Sequence, residues 1–274
     1  MTIDTHVHFW KYDKVRDSWI SDDMKDLRQD YLPEHFAPIA KRNGIDGVVA
    51  VQVDQSELEN HFLLELAATH PLIKGIVGWI DLRDPSLEER LQYFRQYPLI
   101  KGWRHIVQGE PDDFLLKKDF QQGVGLLRSF DYTYDVLIYH HQLPAAVAFL
   151  DALPDQKFII DHCAKPDIRN RSLTEWEKHM RRIAAHPNVC CKLSGLFTET
   201  HWKNWSAGDF YPYLDVVFDA FGTERLLFGS DWPVILLSGI YVQWKSLLEK
   251  YMEPFKAVER EHVFGKNAER FYSL

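Results

Sequence analysis

Eight apolar runs, each followed by a stretch of helical character, constrain this chain more than any other feature. The runs fall at residues 3–9, 47–53, 74–80, 100–106, 134–139, 157–162, 189–194 and 225–231. Gly47-Val48-Val49-Ala50-Val51-Gln52-Val53 is representative, nearly continuous in apolar residues rather than alternating with polar ones. Runs of that kind mark parallel strands buried on both faces. Helices are predicted at 33–42, 56–69, 85–96, 120–130, 143–153, 174–185 and 210–221, with further helix after the eighth strand. Strand-then-helix repeated eight times in 274 residues predicts an α/β fold, a single-domain (β/α)₈ TIM barrel over residues 1–274. A doubly wound open sheet is disfavoured, because no glycine-rich turn follows the first strand.

Two segments stand apart from the repeat. Residues 10–32 are long, charged and aromatic without a clear period, which predicts a loop over one end of the molecule, a lid. Residues 255–274 form a C-terminal helical segment. Local signals punctuate the helices. Pro33 opens the first and Asn43-Gly44 closes it, while the Ser56/Glu59 spacing predicts a capping box for the second.

Charge and cysteine usage narrow the partners. A formal net charge of −8 leaves no basic footprint for nucleic acid or an anionic membrane. No apolar run approaches the roughly 18 residues of a transmembrane helix, and the first strand starts too close to Met1 for a secretory leader. Cys163, Cys190 and Cys191 are odd in number and suit buried positions in a reducing cytoplasm.

In a (β/α)₈ barrel the chemistry sits at the C-terminal ends of the strands. Those ends carry His6 and His8, Arg104 and His105, His140, His141 and Gln142, His162, and Asp231. His6 and His8 lie two apart on a strand, so their imidazoles point the same way. Alone this pair means little, since 13 histidines in 274 residues give roughly 0.6 such pairs by chance. Histidines gathered at one end of successive strands are harder to attribute to chance. His140 and His141 have opposite parity, so one of the two faces the barrel centre. Trp10 and Trp19 read as packing residues.

Asp4-Thr5-His6-Val7-His8, Asp161-His162-Cys163-Ala164-Lys165-Pro166 and Gly229-Ser230-Asp231-Trp232-Pro233 together resemble the amidohydrolase superfamily. More narrowly they resemble its metal-dependent-hydrolase branch of sugar and pyrone lactonases, with L-fuconolactonase-like and L-rhamnonolactonase-like members. Gly102-Trp103-Arg104-His105, Gln142-Leu143-Pro144 and the closing Gly265-Lys266-Asn267-Ala268-Glu269-Arg270-Phe271-Tyr272 match the same group. The resemblance spans residues 4–272. It implies a hydrolase acting on a carboxylic ester bond, a lactonase opening a small-molecule sugar lactone of the L-fucono- or L-rhamnono- type to its aldonic acid. It also implies Asp231 as general base with His162 as its catalytic partner. Arg104, His141, Gln142, Lys165 and Trp232 are the implied substrate contacts.

The implied cofactor is one divalent ion, Zn²⁺ or Mn²⁺, on His6, His8, His162 and Asp231, with metal-independent catalysis as the alternative. The chain departs from the binuclear members at its fourth strand. Lys101 lies near the start of that strand and Arg104 and His105 at its end, so a two-metal site is not expected. Two other functions stay open: a metal-dependent decarboxylase of a small unsaturated or aromatic acid, and a binding barrel without chemistry. Asp231 argues against the second, and the acidic charge argues against a nuclease.

Overall fold

The computed structural model describes all 274 residues and contains one sheet of eight parallel strands in sequential order. They are β1 (Ile3–Val7), β2 (Gly47–Val51), β3 (Ile73–Gly78), β4 (Ile100–Ile106), β5 (Thr133–Leu137), β6 (Phe158–Ile160), β7 (Val189–Leu193) and β8 (Leu226–Phe228). Around them lie α1 (Pro33–Arg42), α2 (Glu57–Thr69), α3 (Leu87–Phe94), α4 (Lys118–Leu126), α5 (Leu143–Ala152), α6 (Thr174–Ala184), α7 (Ala207–Phe221) and α8 (Tyr241–Tyr251). α9 (Ala257–Glu261) and α10 (Asn267–Tyr272) are joined by a π turn over His262–Lys266. The sheet closes on itself where Val7 pairs with Trp232 in an isolated parallel bridge. No helix is long and apolar enough to cross a membrane, and all three cysteines are free and buried.

The sequence places the units correctly and overruns several strand ends. β6 stops at Ile160 because Asp161–Ala164 turn sharply, with His162, Cys163, Ala164 and Lys165 all at positive φ. The helix expected over 120–130 is α4 followed by a 3₁₀ turn at Leu127–Phe130. The expected capping box at α2 is absent. Ser56 makes no side-chain cap bond, and Glu59 Oε1 instead accepts the Val53 N–H at 3.1 Å, tying α2 to the end of β2.

Strand parity sorts the apolar residues into two bodies. Val48, Ala50, Phe158, Ile160, Val189, Cys191, Leu193, Leu226 and Phe228 pack outward against the helices. Ile3, Val49, Val51, Val77, Ile159, Cys190 and Leu227 face inward, joined by Ala268 and Tyr272 of α10. Fully burying each such aliphatic side chain contributes roughly 1.5–3 kcal/mol. The C-terminal helix therefore plugs the bottom of the barrel, where Lys101 Nζ also donates to the Ser273 carbonyl at 2.8 Å.

Above that apolar floor the interior is ionic. Asp135, Lys192, Asp161, Arg104 and His6 are all buried there. The register of β1 on β2 shifts between Asp4 and Val7. That irregularity lets Ile3 point into the floor and still turns His6 and His8 inward, a use of bulges common beside active sites.

Residues 10–32 fold largely on themselves. Trp10 and Tyr31 pair as a bridge, Trp10 Nε1 donates to the Gln29 carbonyl at 2.9 Å, and the Tyr31 hydroxyl donates to the Asp26 carbonyl. The segment is seated on Trp232, whose ring lies 5.3 Å from Tyr31 and 5.0 Å from Phe36.

Candidate active site

The seam between the first and last strands builds the site. Asp231 N–H donates to the His6 carbonyl at 2.9 Å, and His8 N–H donates to the Trp232 carbonyl at 2.7 Å. Asp4 braces the seam from beneath, its Oδ1 accepting the N–H groups of Ser230 and His6. Burial pushes the Asp4 carboxyl up to about 6. These backbone bonds bring the side chains of Asp231, His6 and His8 together.

His8 Nε2 lies 3.2 Å from His6 Nε2 and 3.3 Å from Asp231 Oδ1, and His6 Nε2 lies 3.8 Å from the same oxygen. His162 Nε2 approaches Asp231 Oδ1 to 3.9 Å. His8 Nδ1 faces the Val51 carbonyl at 2.8 Å and must donate to it; only in the neutral ring does its Nε2 then carry a lone pair. His162 Nδ1 is tied to the Ser194 hydroxyl at 2.8 Å, which aims its Nε2 at Asp231. Burial drives His6 and His162 well below the ordinary imidazole value, so both rings are neutral near pH 7. Burial alone would raise Asp231, but the adjacent imidazoles of His162 and His8 hold its carboxyl below the usual carboxylate range.

These donors fit a single small cation. Two ligand atoms about 2.0–2.1 Å from a tetrahedral ion stand roughly 3.3–3.4 Å apart. The three closest atoms here are separated by 3.2, 3.3 and 3.8 Å. A second group, His6, Asp161 and His162, also brings three ligand atoms within 4.8 Å of one another. It is already occupied by fixed cations: Arg104 Nη1 donates to Asp161 Oδ2 at 3.1 Å, and Lys192 Nζ lies 3.0 Å from Asp161 Oδ1.

The remaining expected residues divide. Arg104 is buried beneath the histidines, with Nη1 3.2 Å from His6 Nε2 and Nη2 donating to Gln52 Oε1 at 2.9 Å. Lys165 is half-buried at the mouth, its ammonium 3.7 Å from Glu199 and over the Tyr139 ring. His140 and His141 sit in a 3₁₀ turn, neither among the converging four. His140 Nδ1 meets the Lys165 carbonyl and His141 Nδ1 meets Asp112, and both line a cleft of about 410 Å³ with Thr198 and Glu199. Gln142 differs from the expected substrate contact. Its amide nitrogen donates to the carbonyls of Val107 and Glu110 and its oxygen accepts from Tyr139 N–H, so it braces the ends of β4 and β5. Trp232 also differs, being buried among Phe9, Tyr31 and Phe36 under the 10–32 segment.

Sequence reasoning assigned no role to Asp135, Asp161 and Lys192. Lys192 Nζ bonds Asp135 Oδ2 at 2.5 Å, and Tyr272 donates to the same oxygen at 3.0 Å from below. Lys192 shares strand parity with inward-facing Cys190, and that was the available signal.

A (β/α)₈ barrel with two histidines at the end of the first strand set against an aspartate after the last is the framework of an enzyme that works at the barrel mouth. The family model for amidohydrolases matches residues 3–274, and the chain belongs to that family. It is 40% identical to an L-fucono-1,5-lactonase of Burkholderia multivorans, over 100% of this chain and 96% of the relative. An L-fucono-1,5-lactonase of Burkholderia ambifaria is 32% identical over 99% of this chain and 95% of its own. The crystal structure of a Burkholderia multivorans amidohydrolase with bound zinc superposes with a TM-score of 0.96 at 40% identity, covering 100% of this chain and 99% of that one.

Proposed function

We propose that the protein hydrolyses a sugar lactone, with L-fucono-1,5-lactone as the first substrate to test. The observation that carries this is the convergence of Asp231, His6, His8 and His162 at the barrel mouth, in a chain aligned end to end with an L-fucono-1,5-lactonase. Asp231, ionised beside the neutral His162 imidazole, takes a proton from water as the water oxygen attacks the lactone carbonyl carbon. His162 Nε2, held by Ser194, is placed to hydrogen-bond the oxygens on which charge develops. The bond from the acyl carbon to the ring oxygen then breaks, and that oxygen takes the proton held by Asp231, which leaves the open hydroxy acid and restores the carboxylate.

His6, His8 and Asp231 would hold one divalent ion, with His162 beside them. When bound, it supplies Lewis acidity and lowers the pKa of water. We read Lys165 and the cleft of His140, His141 and Glu199 as contacts for the sugar hydroxyls, and residues 10–32 as a lid. The expected partner is a small molecule, not nucleic acid or membrane, in the cytoplasm.

The test is a pH-indicator assay on metal-analysed protein with L-fucono-1,5-lactone, an L-rhamnonolactone and a dihydroxybenzoate. Lactone opening above the spontaneous rate is expected. Loss of carbon dioxide from the aromatic acid without lactone turnover would replace this reading with the decarboxylase.

A further inference from the structure

The His6 ring is served by two competing sets of partners, and in the first Arg104 Nη1 is left with Asp161 Oδ2 as its acceptor. In one, Lys192 Nζ donates to His6 Nδ1 at 3.3 Å. The ring proton then sits on Nε2 and points at the lone pair of His8 Nε2, 3.2 Å away. His8 completes the chain by donating from Nδ1 to the Val51 carbonyl. In the other, His6 Nδ1 carries the proton toward Asp161 Oδ1 at 3.5 Å. Its Nε2 is then bare, facing Arg104 Nη1 at 3.2 Å and the space between His8 and Asp231.

Asp161 Oδ1 is fully buried, with the Lys192 ammonium 3.0 Å away but no aligned hydrogen bond to it, so it can also accept that Nδ1–H. An ammonium only donates and a carboxylate only accepts. Lys192 and Asp161 therefore pull the same ring toward opposite tautomers.

We propose that Lys192 and Asp161 form a tautomer selector for His6, through which the site alternates between a metal-free and an ion-loaded arrangement. This rests on the reading of His6, His8 and Asp231 as the ion's ligands. Without an ion, Lys192 holds the ring with its proton on Nε2, and His6 and His8 bind each other. An ion needs the Nε2 lone pair, so loading moves the ring's one proton from Nε2 to Nδ1, by exchange with water. The ring stays neutral, Asp161 Oδ1 gains an aligned donor, and Lys192 keeps its ion pairs with Asp135 and Asp161. Metal-bound histidines commonly donate their other N–H to a carboxylate. Here the opposing lysine is built in beside that carboxylate, and it weakens ion binding. Lys192 and Asp161 are thus positioning residues, acting through His6.

The test uses the full chain labelled with ¹⁵N-histidine, with His6 assigned by the signals lost in His6→Gln. Two-bond ¹H–¹⁵N spectra of the metal-free protein should show His6 protonated at Nε2, and one equivalent of zinc should shift it to Nδ1. Chelator competition should find zinc bound about tenfold more tightly by Lys192→Met, and roughly 10–100-fold more weakly by Asp161→Asn. Metal-free Lys192→Met should already show the Nδ1–H ring. An Nδ1–H ring in the metal-free wild type would overturn the proposal, and so would unchanged or weaker zinc binding by folded Lys192→Met. If that variant does not fold, the wild-type spectra decide. A wild type that takes up no zinc would defeat the ligand assignment instead, a separate outcome from the metal-free tautomer.

Discussion

Replacing Gly195 by alanine tests whether the placement of His162 matters to the chemistry. Gly195 follows β7 at φ +64°, and a Cβ built there would stand 2.5 Å from both Cγ and Nδ1 of His162. Ordinary contact begins near 3.4 Å, so the ring must retreat by about 0.9 Å. That movement breaks the Nδ1 bond to Ser194 and turns Nε2 away from Asp231. Gly44 is the natural control, with the same φ of +64° and nothing within 4 Å of its added Cβ. Alanine in that backbone conformation costs roughly 1–2 kcal/mol at either position. Overpacking adds roughly 1–3 kcal/mol at Gly195 alone. A displacement near 1 Å in a reacting group can reduce rate about 10²-fold. Thermal unfolding and kcat/KM for lactone opening, corrected for spontaneous hydrolysis, should therefore separate the pair. Gly44→Ala should lose stability and keep its rate, while Gly195→Ala should lose more stability and about 10²-fold in kcat/KM. If Gly195→Ala unfolds no earlier than Gly44→Ala and keeps more than about a third of the wild-type rate, the ring placement inferred here is wrong.

Asp231→Asn preserves shape but cannot take a proton, so kcat should fall about 10²–10⁴-fold with the fold intact; retention of a tenth of wild-type kcat would remove Asp231 from the base role. Elemental analysis should find no more than one tightly held divalent ion per chain, lost in His8→Ala; two equivalents in the wild type would contradict the occupied second group. Glu59, buried near Asp54 and Asp17 and incompletely compensated by Arg16, has its carboxyl raised from 4.5 to about 7. The folded state thus holds a proton that the unfolded state releases above pH 4.5. Its contribution to stability is full below that point and lost as pH rises through 7, by up to about 3 kcal/mol. Glu59→Gln should flatten the melting-temperature profile between pH 5 and 8, and an unchanged slope would refute the burial argument.

The barrel was legible because parallel strands covered on both faces appear as apolar runs, and the rim was legible because strand ends carry His6, His8, His162 and Asp231. What failed has physical causes. Asp161–Lys165 leave the strand through left-handed turns that no hydrophobic pattern records. Trp232 and Gln142 were identified by position in a motif, but their surroundings (an aromatic cluster and three backbone groups) are set by distant segments. Lys192 and Asp135 lie inside apolar strands, where a single charge looks like an interruption. Only the meeting of β5, β6 and β7 with α10 shows that these charges answer one another.

The β1–β8 seam has a consequence for biosynthesis. His6 and His8 emerge from the ribosome before the other residues of the site, and Asp231 follows some 225 residues after His6. At common elongation rates that interval is roughly 10–45 s. Through all of it the nascent chain presents the two imidazoles without the Asp231 carboxylate. Tyr272, which reaches Asp135 at the barrel floor, arrives later still. On the proposed ligand set, capture of an ion therefore waits until the eighth strand has docked against the first.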